Sequence, residues 1–164
     1  MADDLVLTDR RDDGVVLVTL NNGSMNPLSQ AVLARIADVA DALAGDASVK
    51  AVVITGSEKA LAAGADIKEF GDQEAARRIA GAFRRAFDAV AAIPRPVIAA
   101  VRGYALGGGM ELALSCDLRV AGENMKARWV GARHGVPVGP ARLAPLLGEA
   151  IAKDLIFTSR ALGA

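Results

Sequence analysis

Val97-Ile98-Ala99-Ala100-Val101-Arg102, followed by Gly103-Tyr104-Ala105-Leu106-Gly107-Gly108-Gly109-Met110-Glu111-Leu112, decides how this chain is read. The apolar run after Pro94 and Pro96 has the length and composition of a buried strand. Gly103 to Gly109 reads as a glycine-rich loop, and Met110 to Cys116 as a helix. The consecutive glycines Gly107, Gly108 and Gly109 let backbone approach a ligand closely. The helix that follows turns its unpaired N–H groups and positive dipole end back on the loop. Such a turn suits an anion, and it suits an oxyanion when the charge is made during reaction. It also serves as a plain packing device, so the turn alone leaves both readings open.

The same pattern occurs upstream. Val49 to Thr55 is a second buried strand, mostly β-branched. Gly56 to Gly64 reads as loop, and it runs into the stretch Leu61-Ala62-Ala63-Gly64-Ala65-Asp66-Ile67-Lys68-Glu69-Phe70, with small residues at Ala62, Ala63 and Ala65 and a short helix over Asp66 to Phe70. Further out, Leu5 to Thr8 and Val15 to Leu20 read as strands joined by the polar turn Asp9 to Gly14. Ser29 can cap a helix running to Ala44, with Val32, Ile36, Val39 and Leu43 on one face and Gly45 as its stop. Asp72 to Ala92 carries one apolar stripe through Ile79, Phe83, Phe87 and Val90, with Arg77, Arg78, Arg84 and Arg85 on a solvated flank. Leu118 to Ala121 reads as a strand and Glu149 to Thr158 as a helix. Strand, helix, strand, helix, strand predicts an α/β fold with parallel pairing.

Composition narrows the function classes. At 164 residues the chain suits one domain with a real core, since chains of this size bury roughly 70% of their unfolded surface. Nineteen Lys and Arg balance nineteen Asp and Glu, so the basic bias of a nucleic-acid binder is absent. Aromatics make up 4%, too few for base-stacking platforms. One Cys and one His exclude a disulfide framework, a thiolate zinc site and a multi-histidine metal site. The apolar runs are far shorter than the ~20 residues of a membrane span, and the acidic start Met-Ala-Asp-Asp-Leu lacks the pattern of a signal peptide. The expectation is a soluble, cytoplasmic protein. No P-loop or G-x-S-x-G occurs, and Leu112 breaks the G-x-G-x-x-G fingerprint that Gly107 and Gly109 begin. That break argues against the competing class, an unrelated α/β nucleotide binder.

Taken together, the two loops resemble those of the crotonase superfamily, the enoyl-CoA hydratases and isomerases. The stretches that carry the resemblance are Ala62 to Glu69 and Gly103 to Ala113. Asn26-Pro27-Leu28-Ser29 is similar to the family's N-A-L-S segment, and Ile93 to Val101 looks like the strand entering its second loop. The tail from Leu147 to Ala164 is similar too. The resemblance implies a spiral of ββα units that binds an acyl-CoA thioester, with no metal or prosthetic group and with coenzyme A arriving as part of the substrate. By position it implies that the backbone N–H groups of Ala65 and Gly108 hold the thioester oxygen. Ala63, Asp66, Ile67, Leu106 and Gly107 are then expected along the bound acyl-CoA. Asp66 reads equally well as a helix cap. Glu111, one turn into the helix, is the expected acid/base. Without the resemblance, it reads as a partly buried glutamate satisfied by helix-end amides.

The chain departs from the pattern in one place. Hydratases carry a second glutamate in a G-x-P-E segment shortly after the strand matching Leu118 to Ala121. Here Glu123 to Pro140 does not match, and no Asp or Glu lies between Glu123 and Glu149. Met125 to Pro140 is instead basic, with Lys126, Arg128, Arg133 and His134, and the resemblance resumes at Arg142. A stretch read in a shifted frame would leave this bounded signature. His134 as a replacement base competes with a plain surface histidine. Cys116 reads as a small buried residue rather than a nucleophile. The resemblance also implies a longer chain, since family members continue past the position matching Ala164 into helices that cover the acyl pocket and build homo-oligomers. Residues 1–164 are therefore expected to form a single N-terminal core domain, incomplete at its C-terminus, with apolar surface uncovered and its own oligomeric state in doubt. A binding or assembly fragment without turnover is the alternative to an active enzyme.

Overall fold

Two apolar helix faces need a sheet to cover, and the strands that supply it come one at a time along the chain. The computed structural model describes residues 2–134 and 140–164. β1 (Val6–Arg10) and β2 (Val15–Leu20) form an antiparallel hairpin in which Val16, Val18 and Leu20 are buried. α1 (Gln30–Gly45) follows, its first turn capped by Ser29 Oγ, which accepts the Val32 N–H at 3.3 Å. It buries Val32, Ile36, Val39 and Leu43, the stripe read from spacing. The chain then enters β3 (Ala51–Thr55), parallel to β2.

Two further turns of the spiral repeat the pattern. β4 (Ala60–Ala62) leads through α2 (Gln73–Ala91) to β5 (Val97–Val101). β6 (Tyr104–Leu106) leads through α3 (Gly108–Leu114) to β7 (Leu118–Ala121), and β8 (Lys126–Arg128) comes next. The first strand of each pair in the order β3/β4, β5/β6, β7/β8 joins a five-stranded sheet, β1-β2-β3-β5-β7. The second joins a smaller sheet, β4-β6-β8. Apart from the β1–β2 hairpin, these pairings are parallel. The expected spiral of ββα units is therefore present. α4 (Pro140–Leu147) and α5 (Glu149–Thr158) close the described chain.

Helix α2 matches its sequence reading within a residue at each end. Asp72 Oδ1 accepts the Ala75 N–H at 2.8 Å, capping it. Ile79, Phe87 and Val90 are buried, and Phe83 packs edge-on against Phe87 at 5.4 Å between ring centres. The arginine flank faces solvent, where Arg78 pairs with Glu74 at 2.8 Å and Arg85 with Asp41 at 2.5 Å. Such exposed pairs are weak because water screens them, so burial on the other face holds the helix down.

Several readings shift. The segments expected as loops, Gly56 to Gly64 and Gly103 to Gly109, contain β4 and β6, and α3 starts at Gly108 rather than Met110. Strands of three residues show no usable periodicity; their neighbours in the small sheet create them. The first strand lies over Val6–Arg10 rather than Leu5 to Thr8, because β2 offers ladder partners as far as Val16 opposite Arg10. Leu5 ends a 3-10 turn instead. β3 begins at Ala51, two residues after Val49. Helix α4, with Pro145 inside it, was not foreseen.

No helix among the described residues is long and apolar enough to cross a membrane. Cys116 is buried at the end of α3, with Sγ 3.4 Å from the Leu112 carbonyl, and burial pushes its thiol up to about 12. A disulfide reagent at mildly alkaline pH is expected to leave Cys116 unlabelled until denaturant is added; rapid labelling of the folded chain would contradict this packing. Elsewhere apolar surface is open. Leu118 and Val120 on edge strand β7 are exposed, as are Leu146, Leu147, Ile151 and Phe157 on α4 and α5, Phe157 at 73%. Patches of this kind favour association. Light scattering of the 164-residue chain is expected to give a mass above the monomer that grows with concentration. A monomeric mass throughout would contradict that expectation.

Candidate active site

Helix α3 is set by what its glycines allow. A Cβ at Gly109 would lie 2.2 Å from the Ala62 carbonyl oxygen, so only glycine lets the helix settle on β4. Gly107, at φ 48° and ψ −110°, makes the turn from β6 into the helix. Its N–H donates to the Arg128 carbonyl at 2.8 Å, which ties the turn to β8. The Met110 and Glu111 N–H groups donate back to the Gly107 carbonyl at 3.0 and 3.1 Å. Gly108, the first helical residue, has no such acceptor behind it.

The first loop is held from the opposite side. Asn26, fully buried at φ 46°, donates Nδ2 to the carbonyls of Ala60 and Leu61 at 3.3 Å each. Leu28 then bridges Ala65 in parallel fashion: its N–H donates to the Gly64 carbonyl at 2.8 Å, and its carbonyl accepts the Asp66 N–H at 3.3 Å. In that pattern the intervening Ala65 N–H points away from the Leu28 segment. The two loops come together at this point, because a Cβ at Gly64 would meet the Leu106 carbonyl at 2.8 Å and the Gly108 nitrogen at 3.5 Å. Among the described residues, no protein acceptor takes the Ala65 or the Gly108 N–H. Two free amides thus lie on adjacent strands of backbone, where polar groups otherwise find partners.

Glu111 stands one turn above this gap. Its side chain is 7% exposed, and its Oε1 accepts the Trp129 Nε1–H at 3.2 Å. Burial pushes the Glu111 carboxyl above the ordinary carboxylate range, against the opposing pull of the Trp129 bond and the Arg142 charge. Arg142 is itself tied to Asp88 at 2.5 Å.

The remaining expected residues divide. Ala63 is half-buried, its N–H donating to Met25, and Leu106 is half-buried at the end of β6. Gly107 is buried in the turn. Asp66 caps the 3-10 turn Ile67–Glu69 by accepting the Lys68 N–H at 3.0 Å, so the capping reading describes its contact. Ile67 projects into solvent at 79% exposure. His134 is exposed at the end of the 3-10 segment Val130–His134. The altered segment from Met125 to Pro140 falls partly outside the described residues. No cluster of His, Cys, Asp and Glu that could hold a metal occurs among the described residues. Sequence reasoning missed Trp129 as the partner of Glu111. The signal available was a lone Trp in an acid-free stretch, since a buried indole N–H has to find an acceptor.

Residues 10–164 match the family model described as enoyl-CoA hydratase/isomerase. A probable enoyl-CoA hydratase of Mycobacterium tuberculosis is 41% identical over 158 residues, covering 94% of this chain and 62% of its own length. The crotonyl-CoA hydratase of Syntrophomonas wolfei is 35% identical over 170 residues, covering all of this chain and 65% of its own. The solved structure of the enoyl-CoA hydratase from Bacillus anthracis superposes with a TM-score of 0.92 at 35% identity, covering 98% of this chain and 65% of that one. The chain thus spans under two thirds of the length of these relatives. The sheet topology, the two paired loops and these matches agree that the chain belongs to the enoyl-CoA hydratase/isomerase family of the crotonase superfamily.

Proposed function

We propose that this chain carries the acyl-CoA thioester site of an enoyl-CoA hydratase/isomerase-type enzyme. What supports the reading is that Ala65 and Gly108, whose amides take no acceptor among the described residues, flank the close approach of Gly64 to the turn entering α3, with the buried Glu111 one turn along that helix. In this reading both amides donate to the thioester oxygen. Ala63, Leu106 and Gly107 line the acyl-CoA, with Asp66 and Ile67 at the rim. No metal or prosthetic group takes part, and coenzyme A enters as part of the substrate.

The chemistry follows from charge. The Glu111 carboxylate removes a proton from the carbon beside the thioester carbonyl. The electron pair moves onto the carbonyl oxygen, giving an enolate that the two amides stabilise. The protonated Glu111 returns the proton to the same carbon or, in a dienolate, to the far end of the conjugated system. Removing one oxyanion donor typically costs about 3 to 4 kcal/mol of transition-state stabilisation. Hydration additionally asks for a group that orients and activates water, and hydratases recruit a second carboxylate for it. This sequence has no Asp or Glu between Glu123 and Glu149. That favours double-bond migration over hydration, although the named relatives are hydratases.

Turnover of short enoyl-CoA thioesters, followed by ultraviolet absorbance for both hydration and double-bond migration, tests the reading. Glu111→Gln is expected to lower the rate by about 10²- to 10⁴-fold. In the unsubstituted chain the rate is expected to rise with pH through a midpoint above the ordinary carboxylate range. The ionised form is the base, and burial favours the neutral form. Equal rates in the two proteins would remove Glu111 from the chemistry. Tight thioester binding with no turnover in either would leave a binding fragment.

A further inference from the structure

The reaction outlined above leaves one partner of Glu111 unused. Trp129 Nε1 donates to Glu111 Oε1 at 3.2 Å, and the indole is 1% exposed. Trp129 stands one residue past β8, whose Arg128 pairs with Leu106 and accepts the Gly107 N–H at 2.8 Å. The Trp129 carbonyl accepts Ser159 Oγ at 2.6 Å, and Arg128 Nε donates to the Ser159 carbonyl at 2.9 Å. Ser159 is fully buried, with a left-handed φ of 50° just beyond α5. The backbone under the indole is thus gripped from two sides, by the turn entering α3 and by the end of α5. A glutamate carboxyl on three rotatable bonds gains a fixed orientation from such a donor, and a bond to a charged acceptor is among the stronger kinds. The bond engages Oε1 and leaves the second oxygen of the carboxyl for another proton partner.

We propose that Trp129 is the positioning residue of Glu111. Its indole N–H holds Oε1 so that the other carboxyl oxygen faces the thioester, and the site works with one carboxyl and one indole. The inference rests on the reading of Glu111 as acid/base. Among the described residues, few other charged groups bear on the pair. Arg142 of α4 acts on Glu111 by its charge, and Asp88 of α2 is bound to Arg142. Arg128, the residue before Trp129, donates to the Ser159 carbonyl, and His134 ends the 3-10 segment that follows. β4 supplies only Ala60, Leu61 and Ala62, and the one titratable group of β6 is the exposed Tyr104.

Trp129 is the one tryptophan in the chain, so its emission reports on this contact without any need for turnover. Titrating the fluorescence of the full chain from acid to mildly alkaline pH is expected to show one transition, centred above the ordinary carboxylate range. Glu111→Gln is expected to abolish it. Emission that ignores pH in the unsubstituted chain would overturn the proposal. So would a transition that survives in Glu111→Gln, because it would not belong to the Glu111 carboxyl. The second arm is Trp129→Phe, which keeps a ring and removes the N–H. It is expected to lower kcat by about tenfold or more with KM little changed. The midpoint of its pH–rate profile is expected to move upward, because the lost bond favoured the carboxylate. An unchanged kcat and midpoint in a folded Trp129→Phe chain would also overturn the proposal. A chain that turns over no thioester would instead overturn the reaction proposed above, and the fluorescence titration would still decide whether the indole holds the carboxyl.

Discussion

The approach of α3 to β4 is the constraint on which the rest of the structure depends. The Ala62 carbonyl lies where a side chain at position 109 would have to begin. With glycine there, the helix comes down onto the small sheet, Gly108 arrives beside Gly64, and Glu111 is carried inward to be buried. Any side chain at 109 would push the helix off β4 and separate the two loops. A clash with backbone cannot be relieved by a rotamer change. The small residues of both loops are therefore a packing requirement first, and the chemistry proposed for the site is built on it.

The spiral explains why two loops so far apart in sequence meet. Each turn gives one strand to the large sheet and the next to the small sheet, so β4, β6 and β8 lie side by side. Ala65 follows β4, Gly108 follows β6 and Trp129 follows β8. The three groups around the proposed thioester site are thus delivered by equivalent points on successive turns. Burying Glu111 works against the ionised carboxylate, and the indole and the Arg142 charge oppose that penalty. Natural sites often carry such a local cost where function needs a poised group.

Much of this was legible in the sequence, for identifiable reasons. Ser29 announces its helix because a side-chain cap is a local interaction, and the stripes of α1 and α2 are long enough to count. β5 was legible as a bounded apolar run, and β7 as a short strand. β4, β6 and β8 were not, because three residues carry no period and pairing with distant neighbours creates them. Glu111 and the two glycine-bearing loops were legible through their resemblance to the family. The capping contact of Asp66 was one of two readings that local sequence left open. The Trp129–Glu111 bond spans 18 residues and depends on the β6–β8 register, so no local pattern announces it.

The central claim is that the Ala65 and Gly108 amides converge on one oxygen. The most direct test is a crystal structure of the chain with an unreactive acyl-CoA thioester. The account predicts the thioester oxygen within hydrogen-bond distance of both amide nitrogens, with the adjacent carbon facing Glu111. A thioester bound elsewhere, with either amide turned toward a protein acceptor, would contradict it.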